Sequence, residues 1–172
     1  MNLYTYNGDE FLICNTAISL DDYVEYINKN RLYQNKGFMG SRCLELASIY
    51  AEDMISGTYT TPDAFKNSGI YNRIDSVRSQ SEDEILEYVY SEVSQGRPVG
   101  LQVSQMRGDG YRHFVTVVGF KKGVSSAKDL TPENMLVLDD VDGRVQTLDE
   151  RNRTLARHGN DRSFGVNLST VA

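Results

Sequence analysis

The sequence predicts one α+β domain over residues 1–172, with N-terminal helices packed on a C-terminal antiparallel β-sheet. Two observations predict it. Through the first half, apolar residues recur three and four apart between capping signals, and from Val99 onward their spacing falls to two. The 172 residues suffice for one buried core, and no internal repeat or low-complexity linker divides them.

The elements follow in chain order. Ser19, with Asp21 and Asp22 behind it, caps a short helix through Asn28. A second helix runs from Ser41 to Ile55 and stops at Ser56-Gly57. Thr61-Pro62-Asp63 opens a third, because proline suits the first helical turn. Ser81-Glu82-Asp83-Glu84 is a capping box, and Ile85, Leu86, Val89 and Val93 continue it at helical spacing until Gly96-Arg97-Pro98. Val99, Leu101 and Val103 then alternate with Gly100, Gln102 and Ser104 as a strand. Met106 to Gly110 is turn chemistry, and Tyr111 to Phe120 is a second strand. Met135 to Asp139 is a third, joined through a two-residue Asp142-Gly143 turn to Arg144–Leu148. Phe164–Leu168 is a last strand. Two polar segments remain, 121–134 as a mobile surface loop and 151–162 as a flap or disordered tail.

Composition removes several classes of function. A net charge of −6 with scattered basic residues argues against nucleic-acid binding, which needs clustered Lys and Arg. The densest basic group, Arg151, Arg153, Arg157 and Arg162, is interleaved with acids and reads as a solvated face. No run of eighteen apolar residues marks a membrane span, and the N-terminus lacks the pattern of a Sec signal peptide. The expected location is the cytoplasm, or outside the cell by another export route. Two cysteines suit a reducing compartment, and with two histidines at no ligand spacing they make no structural zinc site. No cofactor is expected.

The candidate chemistry lies in three residues. Cys43 falls in the first turn of the second helix, where unpaired backbone N–H groups and the positive dipole end favour a thiolate. The same residue belongs to an apolar stripe with Leu46, Ala47, Tyr50 and Met54, so packing is the alternative. Cys14, in Phe11-Leu12-Ile13-Cys14, has only the packing role. His113 begins a strand, which holds the ring rigidly beside an open turn and suits a general base. His158, in a polar loop, is the weaker histidine. Asp139 ends a neighbouring strand, where it can orient the imidazole. Alternation along that strand sends Asp140 to the other face, and Asp140 and Asp142 fit the turn.

With Cys43, His113 and Asp139 in that order on distinct elements, the chain resembles the papain-like cysteine peptidase superfamily. Gly96-Arg97-Pro98-Val99, His113-Phe114-Val115-Thr116-Val117-Val118-Gly119 and Val137-Leu138-Asp139 are similar to the strands of bacteriocin-processing peptidase domains. They are equally similar to those of papain-like bacterial effector and toxin deamidases. The resemblance spans roughly residues 34–148. It implies a papain-like fold, a Cys43–His113–Asp139 triad, and a thiol-dependent amide hydrolase acting on a protein or peptide substrate. Cysteine protease and protein-glutamine deamidase share that chemistry, and a secreted bacterial effector or toxin domain is one setting for it. An activating or inhibitory protein partner is also in keeping.

Two positions depart from the superfamily pattern. Glycine stands at position 37, where a glutamine six residues before the cysteine often supplies an oxyanion donor; Gln34 and Asn35 lie further upstream. Asp140 replaces the usual proline after the acid. The alternative function is an inactive papain-like, or other α+β, protein-binding module. Eleven tyrosines, including Tyr4, Tyr6, Tyr23, Tyr26 and Tyr33, could line its interface, though packing is the plainer role.

Overall fold

The structure, a computed structural model, describes residues 1–34, 42–69, 74–79, 81–105, 113–155 and 163–168. It opens with a hairpin rather than a helix: β1 (Asn2–Tyr6) pairs antiparallel with β2 (Asp9–Ile13). Asn7 and Gly8 join them with φ of 51° and 85°. A two-residue hairpin turn wants two left-handed residues, and Asn-Gly supplies them at least steric cost. The expectation that the first half is purely helical therefore fails at its first thirteen residues.

The helices start where their caps stand. α1 (Leu20–Lys29) is capped by the Ser19 side chain, which accepts the Asp22 N–H. α2 (Cys43–Ser56) has Arg42 at its N-cap and ends on Gly57, whose φ of 80° closes the helix with an N–H to the Asp53 carbonyl. Ser41, the expected cap, lies outside the described residues. α3 (Pro62–Lys66) is capped by Thr61, and α4 (Glu82–Ser94) by Ser81, which accepts the Glu84 N–H. Between these two helices runs β3 (Ile74–Ser79), a strand with no counterpart in the sequence reading.

The remaining strands are β4 (Val99–Gln105), β5 (His113–Lys121), β6 (Met135–Asp139), β7 (Arg144–Thr147), β8 (Arg153–Leu155) and β9 (Ser163–Leu168). The described strands form one sheet, every pairing antiparallel, ordered β1-β2-β5-β4-β9-β3. β6 pairs with β5 and β7, and β8 pairs with β4. β5 is the spine: β4 lies along His113–Val117 and β2 along Gly119–Lys121, with β6 spanning both stretches and hence the opposite edge. The fold class is α+β, as expected, but the sheet takes strands from the whole chain.

Alternation along the central strands feeds two apolar cores. Val118, Leu136 and Leu138 join Tyr23 and Ile27 of α1, Leu46, Tyr50 and Met54 of α2 and Phe65 of α3. Val115, Val117, Met135 and Val137 join Ile85, Val89 and Val93 of α4. Thr116 fixes α2 to the spine by donating its hydroxyl to the Ala47 carbonyl at 3.0 Å, which sets where the start of α2 falls relative to the start of β5.

Three other expectations change. The β6–β7 connection is a four-residue loop, 140–143, closed by the Gly143 N–H on the Asp139 carbonyl at 2.8 Å, not a two-residue turn. The 121–134 loop is tied by its own hydrogen bonds: Ser125 N–H and hydroxyl on Asp129, Thr131 N–H on the Asn134 side chain, and Lys121 N–H on the Asn134 carbonyl. The polar segment from residue 151 begins with a short strand, β8, whose Arg153 is buried, and the expected last strand follows as β9.

Candidate active site

Cys43 is the first residue of α2 and lies partly buried against Phe114, the residue after His113. The backbone N–H groups of Phe114, Leu44 and Cys43 itself act on the sulfur in the direction that favours the thiolate. That is the direction expected of a helix start. It is outweighed, however, by burial and then by the charge of Asp140, so the Cys43 thiol titrates above its ordinary value. The expected lowering of its pKa is corrected accordingly: desolvation, invisible in the sequence, exceeds the pull of the helix terminus. Cys14 is buried, donates to the Val93 carbonyl at 3.5 Å and is pushed up to about 12 by burial. Both thiols are free.

His113, 3% exposed, stands at the start of β5 with Nε2 2.9 Å from Asp139 Oδ1. A carboxylate only accepts, so this bond places the proton on Nε2 and leaves Nδ1 as the acceptor edge of the neutral ring. Asp139 ends β6 and is surrounded by donors. Its Oδ1 also receives the Val141 N–H at 3.0 Å, and its Oδ2 receives Gln146 Nε2 at 3.0 Å and the Arg153 guanidinium. Arg151 extends the network, donating to Gln146 Oε1 at 2.9 Å and pairing with Asp142. Burial, then the charges of Arg153 and Arg151, push the His113 pKa down to about 3. The ring is therefore neutral across the physiological range.

Asp140 lies closer to the chemistry than strand alternation suggests, because the chain leaves β6 at Asp139. Its Oδ1 is 3.6 Å from His113 Nε2 and accepts Gln34 Nε2 at 2.6 Å, while its carbonyl accepts the Gln34 N–H. Asp140 is fully buried, and its Oδ2 has no hydrogen-bond partner among the described residues. Burial pushes its pKa well up, against the lowering effect of the Gln34 hydrogen bond. Of the two candidate oxyanion donors, Gln34 is thus engaged by Asp140, and Asn35 lies outside the described residues. So does His158.

His113, Asp139 and Asp140 offer ligand atoms within 4.8 Å of one another. The donors present do not suit a cation: both Asp139 oxygens already accept hydrogen bonds, one of them from Arg153. The cluster is a hydrogen-bonded charge network, not a metal centre.

Arg153 and Gln146 are the site residues that sequence reasoning missed. β8 is three residues long, too short for periodicity to reveal, and Arg153 sits among arginines that read as solvated. In the fold it is 4% exposed. No described helix is long and apolar enough to cross a membrane. Compared with known protein families and with curated proteins, the chain finds no match.

Proposed function

We propose that the chain is a papain-like, thiol-dependent amide hydrolase in which Cys43, His113 and Asp139 act together on a protein or peptide substrate. The observation that supports this reading is the hydrogen-bonded His113–Asp139 pair with Cys43 packed at Phe114, the residue next to the ring. The three groups, 70 and 26 residues apart in sequence, stand on a helix start, a strand start and a strand end, which supports a shared role.

The resting pair is a neutral thiol beside a neutral imidazole. As the sulfur adds to the carbonyl carbon of a carboxamide, its proton passes to His113 Nδ1, and the ring becomes the imidazolium that Asp139 steadies through Nε2. The backbone N–H of Cys43, at the start of α2, donates to the oxyanion once the sulfur has bonded the substrate carbon. Collapse breaks the C–N bond as His113 returns the proton to the leaving nitrogen. Water, deprotonated by His113, then adds to the thioester, and the thiol leaves with its proton restored. Cleaving a backbone amide makes the enzyme a cysteine protease; cleaving a side-chain amide makes it a glutamine deamidase, the chemistry of an effector or toxin domain.

Intact-mass measurement on candidate protein substrates tests the reading. A gain of about one dalton reports deamidation and two fragments report proteolysis. Cys43→Ser and His113→Ala should each remove either product, by a factor of about a hundred or more. Product formation undiminished in Cys43→Ser overturns the proposal, and wild-type protein that forms neither product favours the binding-module alternative.

A further inference from the structure

The acid of this site does not stand alone behind its histidine. Asp139 Oδ2 is held by the guanidinium of Arg153, a residue 4% exposed, and by Gln146, itself held by Arg151. An aspartate facing only an imidazole lends its charge to the imidazolium and stabilises a thiolate–imidazolium pair. An aspartate that already shares its charge with a buried arginine lends much less. We propose that Arg153 is a positioning residue that fixes Asp139 against His113 and, by compensating its charge, keeps Cys43 and His113 as a neutral pair until substrate arrives. This rests on the thiol-hydrolase reading of the site.

Among the described residues, the other groups around the pair do not supply a second compensating cation so close to the acid. Asp140 faces both His113 and Cys43 and is bonded to Gln34. Asp142, from the same loop, is taken up by Arg151 and Arg144. In the first turn of α2, Arg42 is paired with Glu45. Two carboxyl groups thus meet the ring at Nε2, with Arg153 on one of them and Arg151 a residue further out. The depressed pKa of His113, caused after burial by these two arginines, agrees with that arrangement.

The test is the pH dependence of iodoacetamide labelling, with Cys43 and Cys14 resolved by peptide mass spectrometry, so that no substrate is needed. In wild type, Cys43 labelling should rise steadily with pH and show no shoulder between pH 5 and 7. Arg153→Gln, which keeps a donor and removes the charge, should lift Cys43 labelling at pH 6 by roughly tenfold, the equivalent of one pKa unit. Arg153→Lys, which keeps the charge, should follow the wild-type profile. Adding His113→Ala to Arg153→Gln should abolish the gain, because the imidazolium that holds the thiolate is gone.

A folded Arg153→Gln protein with the wild-type profile overturns the proposal. Should that variant not fold, Arg151→Gln serves, since its side chain is partly exposed. It should move the profile the same way by roughly threefold, and no movement there overturns the proposal equally. Failure of the underlying reading looks different: His113→Ala would then alter neither labelling nor hydrolysis, whatever stands at position 153.

Discussion

At the scale of single residues the site is governed by desolvation. A helix start, read from sequence, favours a Cys43 thiolate, and its N–H groups do reach the sulfur; yet burial and Asp140 set the net direction. The same force acts on His113, which folds as a buried neutral ring. Because its pKa falls from the ordinary 6.5 to about 3 on folding, the unfolded chain binds the extra proton between those values. The ring's contribution to stability is therefore fully present above pH 6.5 and lost as pH falls toward 3. Over that window the wild type should lose up to about 5 kcal/mol that His113→Gln does not lose. Urea midpoints measured at pH 7, 5 and 4 check this, and parallel losses in both proteins would show that the ring is already charged in the fold.

At the scale of elements, what could be read in advance is what local chemistry dictates. Ser19 and Ser81 cap α1 and α4 as read, and Thr61 caps α3, the helix that Pro62 opens in the sequence, because a hydroxyl two or three residues before a free N–H is a local signal. β4, β5 and β6 show in the period of their apolar residues, and the strand ends carrying His113 and Asp139 follow from that. The N-terminal hairpin had a local signal as well, Asn7-Gly8, but its strands are short and partly exposed and do not look like core. β8 and Arg153 could not be read at all, since their place is decided by partners on β4 and β6 far along the chain. Gly119 makes the same point in reverse. A Cβ there would lie 2.4 Å from the Leu12 carbonyl, so β2 can reach β5 only across a glycine. Gly119→Ala should cost about 1–3 kcal/mol in a urea melt, through displacement of β2 rather than any change at Cys43. An unchanged midpoint would mean that the β1–β2 hairpin is free to shift.

At the scale of the whole molecule, tyrosines tie the layers together. Tyr4 bonds Asp21 across β1 and α1, Tyr6 bonds Glu150 at 2.7 and 2.8 Å, and Tyr23 bonds Asp53 between α1 and α2 at 2.7 Å. Tyr26 reaches the Thr60 carbonyl at 2.6 Å and Tyr50 the Leu32 carbonyl. These phenols therefore pack and donate inside the chain, and the described ones are held for that purpose more than for an interface. Burial, and in three of them a carboxylate acceptor, raises the pKa of each; that of Tyr6 goes from 10.0 to about 12. A phenol raised on folding gives stability that is whole below its unfolded pKa near 10 and is lost as pH climbs through its folded value. The phenols' contribution should therefore hold up to about pH 10 and be lost above it, with phenolate absorbance and loss of helical circular dichroism appearing together. Tyr23→Phe isolates the buried Asp53 tie: it removes the donor while leaving the ring, and should cost about 1–3 kcal/mol at pH 7 because Asp53 loses a partner in the core. If the phenols instead titrate near pH 10 with the fold intact, these hydrogen bonds are open to water and the layers are joined by apolar packing alone.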